Sequence, residues 1–472
     1  MEKYGMYIGS KWVEGHNTED KILVENPATR EIFAEVPAGD EADVNAAVEA
    51  AKEGMKVWKT YTPQMRADLL DKLADYFRDN ADMIAAVVTK ELGAPVKIAK
   101  DWHVANAEFE TRFFADCARN YVYESVKPTY ILRYEPFGII AGITPWNYPL
   151  DQITLKILPA LAAGNCVVLK PSQMTPLTAI CFTKGIEAAG FPAGVFNLVT
   201  GRGGEVGNIL AKHPDIRMIS FTGSTTAGRE VGRLALSNIK KTTLELGGKS
   251  AGIILPSADL RTAIQGILVD CMMNTGQTCN AMTRMLVPAS EKEEAEKIAA
   301  EEVAKFKVGN PLDETVDIGP LINEKAYKKV KGYVEEGLKE GAKMISGSVP
   351  GEIKDGYFMD PVIFSDVTND MKIAQEEIFG PVLCMITYET VEEAIEIAND
   401  SPYGLCGGVF GEQEEAYEVA RHIDSGTITI NGSGVTSEAP FGGYKQSGVG
   451  RENCIQSFEE YLEIKAICYT AE

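Results

Sequence analysis

The segment Asn274-Thr-Gly-Gln-Thr-Cys279-Asn-Ala-Met-Thr-Arg284 sets a cysteine directly after a polar stretch marked by glycine. An apolar helix is expected over 259–274 and a strand over 285–287, so the thiol falls at a helix-to-strand junction. A thiol so placed can open onto a cleft, and nearby backbone N–H groups would lower its pKa towards a reactive thiolate. Most cysteines are simply small buried hydrophobes. The polar surroundings of Cys279 are poor core material, and that favours a nucleophile. Cys166, within Gly-Asn-Cys-Val-Val-Leu, reads instead as a strand residue.

A covalent intermediate on a thiol needs a base to activate the water that removes it. In Leu244-Glu245-Leu-Gly-Gly-Lys249-Ser250 a carboxylate stands between two leucines beside paired glycines. Apolar surroundings raise a carboxyl pKa towards neutrality, which suits a general base. The plainer alternative is a surface glutamate paired with Lys249. The four histidines (16, 103, 213 and 422) are widely separated and show no HExxH spacing, so acid–base work is expected to fall to carboxylates and no metal is expected. In Ile143-Thr-Pro-Trp146-Asn147-Tyr-Pro149 two prolines fix the backbone around an amide side chain, as an oxyanion donor requires. Asn147 could equally be the cap of the helix that follows.

Two strand ends could hold a nucleotide. Val168-Leu-Lys170-Pro-Ser172-Gln173 ends an apolar run with a lysine and polar side chains, where α/β folds bind ligands. Phe221-Thr-Gly223-Ser224-Thr-Thr-Ala-Gly228 offers a helix amino terminus to a phosphate. Gly201-Arg-Gly-Gly-Glu-Val-Gly207 departs from G-x-G-x-x-G at Val206 and reads as a loop.

The elements that must position these groups follow from periodicity. Residues 42–60 and 63–90 read as amphipathic helices. From Phe137 onward, short apolar runs alternate with helical stretches, the pattern of βαβ units around a parallel sheet. A second such series begins near Ala251, with helices near 259–274, 291–306, 324–340 and 391–399. Residues 120–136, rich in Tyr and β-branched types, break the helical pattern and suggest strands leaving the first lobe.

The chain has 472 residues, which suits two or three lobes, and a formal charge of −22, which repels nucleic acid and anionic lipid. No uncharged run is long enough for a membrane span. The start lacks the apolar stretch of a secretory signal. Nine scattered cysteines without a Cys-x-x-Cys pair point to a reducing compartment, and a cytoplasmic location is expected.

Taken in order, Pro145-Trp-Asn, Lys170-Pro-Ser, Phe221-Thr-Gly-Ser, Glu245-Leu-Gly-Gly-Lys, Gly276-Gln-Thr-Cys279, Glu377-Ile-Phe-Gly-Pro381, Asn431 and Pro440-Phe-Gly-Gly-Tyr-Lys-Gln-Ser-Gly448 resemble the aldehyde dehydrogenase superfamily. The overall texture is similar to its bacterial hydrolytic members, and the likeness runs through nearly the entire chain. The resemblance implies NAD(P)-dependent oxidation of an aldehyde to a carboxylic acid through a thiohemiacetal and thioester on Cys279. Asn147 and the Cys279 N–H would hold the oxyanion, Glu245 would activate water, and Lys156 would serve proton relay. The implied cofactor residues are Thr144, Pro145, Trp146, Lys170, Ser172, Gln173, Phe221, Gly223, Ser224, Gly247, Glu377 and Phe379.

The same resemblance implies an α/β fold with a Rossmann-like NAD(P)-binding domain (1–116 and 137–246), an α/β catalytic domain (247–446) and a small β oligomerisation arm (117–136 and 447–472). Unpaired edges on that arm would favour a homodimer or homotetramer. Two positions depart from the family pattern. Gln173 stands where NAD-preferring members often carry glutamate, so either NAD or NADP is expected. Asp151, Gln152 and Leu155 stand at substrate-tunnel positions that are often apolar or aromatic, against long, greasy aldehydes. The alternatives are a coenzyme A-acylating dehydrogenase, disfavoured by Glu245, and a non-enzymatic, crystallin-like protein of the same fold.

Overall fold

The computed structural model describes residues 1–436 and 438–470. Two large sheets organise it. The first contains five parallel strands in the spatial order Lys241–Glu245, Met218–Thr222, Ile139–Ile143, Cys166–Lys170, Phe196–Leu198. Antiparallel partners close both edges: Gly448–Val449 beyond Lys241–Glu245, and Met6–Ile8 with Lys11–Val13 beyond Phe196–Leu198. The central strands Ile139–Ile143, Cys166–Lys170 and Met218–Thr222 are buried throughout. That is why they read as unbroken apolar runs rather than alternating ones. Among the parallel strands the chain starts in the middle with Ile139–Ile143, builds towards one edge, then returns and builds towards the other. The reversal leaves a crevice beyond the carboxyl ends of Ile139–Ile143 and Met218–Thr222, where open α/β sheets take ligands.

The second sheet has seven strands, in the order Lys343–Ser346, Val362–Ser365, Val382–Tyr388, Met282–Pro288, Ser250–Ile254, Cys406–Phe410, Thr427–Ile430. All neighbours are parallel except the first pair. Its helices, Leu260–Met272, Lys292–Val303, Glu324–Lys339 and Val391–Asn399, lie where the sequence places them. Asn431, one of the family-matched residues, ties the strand ends: its Nδ2 donates to the Gly411 carbonyl and its Oδ1 accepts from the Gly411 N–H, each at 2.9 Å.

A third sheet is antiparallel: Glu124–Val126, Tyr130–Pro136 and Leu462–Cys468. Residues 117–120 complete the helix Ala105–Asn120, and Gly448–Val449 belongs to the first sheet, so these flanks of the expected arm lie outside its strands. The expected helix over 63–90 is divided at Asn80 into Pro63–Asp79 and Ala81–Leu92. Gly203–Gly207, read as a loop, forms a wide helical turn leading into Asn208–Lys212. Gly203 and Gly204 have open space where a Cβ would stand, so crowding does not account for either glycine. Among the described residues no helix is long and apolar enough to cross a membrane.

One buried carboxylate joins the helical layer to the first sheet. Glu91 accepts from the Leu177 and Thr178 N–H groups, each at 2.8 Å, and from the Thr178 hydroxyl. It thereby satisfies the open amino terminus of Pro176–Ala189. Burial pushes its carboxyl up to about 7 from 4.5. A raised carboxyl binds its proton more tightly in the folded state. Its stabilising contribution is therefore complete below pH 4.5 and falls away as pH rises towards about 7. Glu91→Ala should cost about 2–3 kcal/mol by leaving buried donors unmet, and Glu91→Gln should flatten this pH slope. Urea unfolding followed across that window measures both.

Candidate active site

At the crevice, the turn after Ile139–Ile143 and the turn after Met218–Thr222 face the loop that carries Cys279. Together with Glu377 and Phe379 from the second sheet they line a cavity of about 410 Å³. Pro145, Trp146, Asn147, Gly223, Ser224, Gly247, Glu377 and Phe379 of the expected set all reach it, as does Cys279. Sequence reasoning missed Met174, Ile322, Asn323 and Lys329 on its walls. Ordinary helix and loop residues give no chemical signal of such a role.

The thiol segment is held by an unusual backbone. Asn274, Thr275 and Gly276 have φ of 50°, 62° and 69°, a left-handed run between the helix Leu260–Met272 and Cys279. At Gly276 a Cβ would stand 2.2 Å from the Gly380 carbonyl oxygen, so only glycine allows the two loops to meet. Asn274 Nδ2 donates to the Asn147 carbonyl at 2.8 Å, and Asn147 Nδ2 donates to the Gln277 carbonyl at 3.1 Å. The Gln277 side chain in turn donates to the Asn274 carbonyl at 3.1 Å and accepts from the Ile322 N–H at 2.9 Å. Asn147 is thus fixed against the thiol loop and caps no helix, since Pro149–Ala163 has no side-chain cap. Asn274 is a positioning residue that the sequence reading passed over. Its only sequence signal is its place before Thr-Gly-Gln-Thr-Cys.

Electrostatics correct one expectation. Burial drives the Cys279 thiol well above its ordinary pKa, and the carboxylates of Glu377, Glu245 and Glu452 drive it further. Its own backbone N–H acts the other way, as expected, but is the weakest of these influences. Glu245 lies buried with neither oxygen hydrogen-bonded to the protein. Burial, then the charge of Glu452, pushes its carboxyl far up, and Lys156 and Arg451 oppose this. Among the described residues Lys249 makes no ion pair with it, and its buried Nζ has no hydrogen-bond partner. The backbone of Gly442 packs over Glu245, where a Cβ would stand 2.7 Å from Oε1.

Lys156 lies deeper than the cavity. Its Nζ donates to Glu452 at 2.7 Å and to Gln152 at 3.0 Å, all three buried. Glu452, absent from the expected set, acts through its charge on both Cys279 and Glu245.

On the cofactor side, Gly247 gives room to a carboxylate: a Cβ there would stand 2.8 Å from both Glu377 oxygens. Glu377 accepts from the Gly248 N–H at 3.2 Å. Phe379, at φ 64°, sets its ring edge-on to Trp146 with centroids 5.4 Å apart. Phe221 is buried under Gly223, leaving a side chain no room at that glycine. Ser224 Oγ accepts from the Ala227 N–H at 3.3 Å and caps Thr225–Leu236, opening that amino terminus to the cavity. The buried hydroxyls of Thr144 and Thr222 have no hydrogen-bond partner. Lys170, Ser172 and Gln173 end the neighbouring strand, outside the cavity walls. Lys170 Nζ donates to the Pro171 carbonyl at 2.8 Å, and burial pushes it down to about 8. Ser172 Oγ accepts from the Met174 N–H at 3.2 Å, and Gln173 is exposed.

A profile of the aldehyde dehydrogenase family matches residues 12–467. The chain belongs to the aldehyde dehydrogenase family. A curated relative, a putative aldehyde dehydrogenase of Staphylococcus saprophyticus subsp. saprophyticus, is 42% identical over 465 residues, 98% of each chain. Among solved structures, an aldehyde dehydrogenase C mutant of Pseudomonas syringae with NAD+ and octanal is 42% identical at a TM-score of 0.97. The alignment covers 98% of this chain and 96% of that one. The aldehyde dehydrogenase of Mycobacterium tuberculosis, complexed with NAD+, is 39% identical at a TM-score of 0.97, covering 100% and 99%. The likeness extends over the whole fold, and this aldehyde dehydrogenase is an NAD(P)-dependent oxidoreductase acting on aldehydes.

Thiol reactivity reports the environment directly. Cys279 is partly accessible, Cys468 exposed and the other seven cysteines buried. In the absence of cofactor, iodoacetamide should modify Cys468 first. Labelling of Cys279 should be slow at pH 7 and rise beyond pH 9, because the thiol must lose its proton to react. Peptide mass spectrometry distinguishes the sites. Fast modification of Cys279 at pH 7 would show a thiolate that burial does not suppress.

Proposed function

We propose that this aldehyde dehydrogenase converts its aldehyde to the free acid through a covalent intermediate on Cys279. The observation that carries the residue assignment is the convergence of the thiol, the fixed Asn147 amide and Glu377 on one cavity. The Cys279 thiol gives up its proton to solvent as Sγ attacks the carbonyl carbon, and the oxyanion accepts hydrogen bonds from the Asn147 side chain and the Cys279 N–H. Bound NAD(P)+ would supply the hydride acceptor and a positive charge opposing the carboxylates that raise the thiol. Loss of hydride leaves a thioester on Cys279. Glu245 then takes a proton from water as the hydroxyl adds to the thioester carbon, and the carboxylic acid leaves with the thiol restored. Lys156 and Glu452 together hold the charge and proton that Glu245 must pass on.

The cavity fits the cofactor. Two buried, unpartnered hydroxyls, a capped helix amino terminus and a carboxylate seated on glycine match the polar groups of a dinucleotide. Glu377 would hold the nicotinamide ribose, Phe379 and Trp146 the ring, Ser224 the phosphates, and Lys170 with Ser172 and Gln173 the adenine ribose. The first sheet is assigned as the NAD(P)-binding domain (1–116 and 137–246), the second as the catalytic domain (247–446). The three-stranded sheet forms the arm. Val122, Val126, Ile464 and Ile467, exposed on or beside it, support a homodimer or homotetramer in which a second copy covers them. Retention of Glu245 beneath Gly442 favours water over coenzyme A as the acyl acceptor.

Glu245→Gln tests the core of this reading. It should give one burst of reduced cofactor per site, then stall with an acyl mass on the Cys279 peptide. Steady turnover near the wild-type rate would make Glu245 a structural carboxylate. A second substitution tests the adenosine site. With Gln173 neutral and Lys170 beside it, NAD and NADP should both work. Gln173→Glu should raise the NAD/NADP ratio of kcat/KM by about tenfold or more, equivalent to about 1.4 kcal/mol of charge repulsion. Initial rates with both nucleotides measure the ratio.

A further inference from the structure

The wall that the second sheet's helix Glu324–Lys339 gives to the cofactor cavity carries two lysines one helical turn apart, Lys325 and Lys329. The helix is pinned on either side of Lys325. At its start Asn323 Oδ1 accepts from the Ala326 N–H at 2.9 Å, while Asn323 Nδ2 donates to Met174 Sδ at 2.9 Å, two residues beyond Ser172. Further along, Lys329 Nζ donates to the Glu377 carbonyl at 2.9 Å. The helix therefore runs from the side of the cavity assigned to adenosine, at Met174, to the side assigned to the nicotinamide ribose, at Glu377. Lys325 stands between the two. The first sheet supplies Thr222, Gly223 and Ser224 to the same cavity, and there the Thr222 hydroxyl is buried without a partner and Ser224 caps the open amino terminus of Thr225–Leu236.

The group of a dinucleotide that lies between its two riboses is the doubly negative pyrophosphate, and charge works against holding it here. The chain carries a formal charge of −22, and Glu377 adds a carboxyl to the cavity wall itself. A cation is needed. Lys329 is already committed, since its charge acts on Glu377 against the upward push of burial on that carboxyl, and its Nζ also lies 5.7 Å from the Tyr333 ring centre. Lys328, Lys331 and Lys339 pair with Glu324, Glu335 and Glu336 of their own helix. Lys325 has no such partner among the described residues. It is exposed, and its long flexible stem lets the ammonium follow an anion entering the cavity.

Resting on the function proposed above, we infer that Lys325 is a cofactor-binding residue that pairs with the pyrophosphate of NAD(P)+ from the catalytic domain, while Ser224 and its helix meet the same group from the other domain. One group of the cofactor is thereby held by both lobes. The pairing adds affinity for the nucleotide and takes no part in hydride transfer.

The test is equilibrium binding to the intact enzyme by titration calorimetry with NAD+, with ADP-ribose, which keeps the pyrophosphate, and with adenosine, which lacks it, the last measured by displacement of NAD+. Lys325→Met should raise the Kd of NAD+ and of ADP-ribose about fivefold and leave adenosine within about twofold. Lys325→Arg should restore most of the loss. Lys328→Met removes the same charge from the same helix at a position off the cavity wall, and should change no ligand by more than about twofold. Added salt should weaken ADP-ribose binding more in the wild type than in Lys325→Met. The inference is overturned by an unchanged Kd for ADP-ribose in Lys325→Met, by a loss matched in Lys328→Met, by an equal loss for adenosine, which marks a structural effect, or by a loss seen with NADP+ alone, which puts the lysine at the 2′-phosphate. None of these readings needs turnover. A wild type that binds ADP-ribose as expected yet reduces NAD+ with no aldehyde overturns the proposed function and leaves the pairing in place.

Discussion

The reacting centre depends on desolvation. A thiol, Glu245 and Glu377 are gathered where water is largely excluded, so that burial raises the pKa of each, and the charge of Glu452 adds to the shift of the thiol and of Glu245. Positive charge arriving beside the thiol would oppose these shifts. This explains why Lys156 is committed to Glu452 rather than to the thiol: an ammonium beside Cys279 would activate it permanently and expose it to adventitious alkylation or oxidation. The two-sheet architecture serves this end. The first sheet offers the crevice, the second closes it from the other side with Glu377 and Phe379, and neither alone could dry the thiol.

Geometry at the junction is bought with backbone strain. Three successive left-handed residues before Cys279 are held by the Asn274 contact to Asn147 and by the passage of Gly276 under Gly380. Asn147 and Cys279 therefore come from different sheets yet share one hydrogen-bonded unit. A shift of either sheet changes both together, keeping their relative placement intact where a small misplacement would cost most.

Much of this was legible in the residues. The apolar runs at 139–143, 166–170 and 218–222 announce buried parallel strands, and Cys279, Asn147 and Glu377 meet at one cavity as their motifs lead one to expect. The sign of the thiol's pKa shift was not legible, because it is set first by burial and then by the carboxylates of Glu377, Glu245 and Glu452, all brought about it only by folding. Glu452 carries no motif that distinguishes it from dozens of surface glutamates. Its role comes from pairing with Lys156 across 296 positions of chain. The Gly201–Gly207 turn misled in a different way: its glycines suggest a loop, yet it adopts helical backbone that flanks Lys170.

The edge strand Gly448–Val449 also fixes an order in time. Ser447 hydrogen-bonds to the Gly247 carbonyl at 2.7 Å and to the Gly404 N–H at 3.0 Å, and Glu452 follows within the same passage of chain. During synthesis on a ribosome, the thiol, the amide and the crevice all emerge long before this passage. A nascent chain therefore carries Cys279 beside a first sheet whose edge strand, and whose partner for Lys156, have yet to be made. Completion of the first sheet and assembly of the buried charge network thus await the same passage of chain, and the Lys156–Glu452 pair cannot form before residue 452 has emerged.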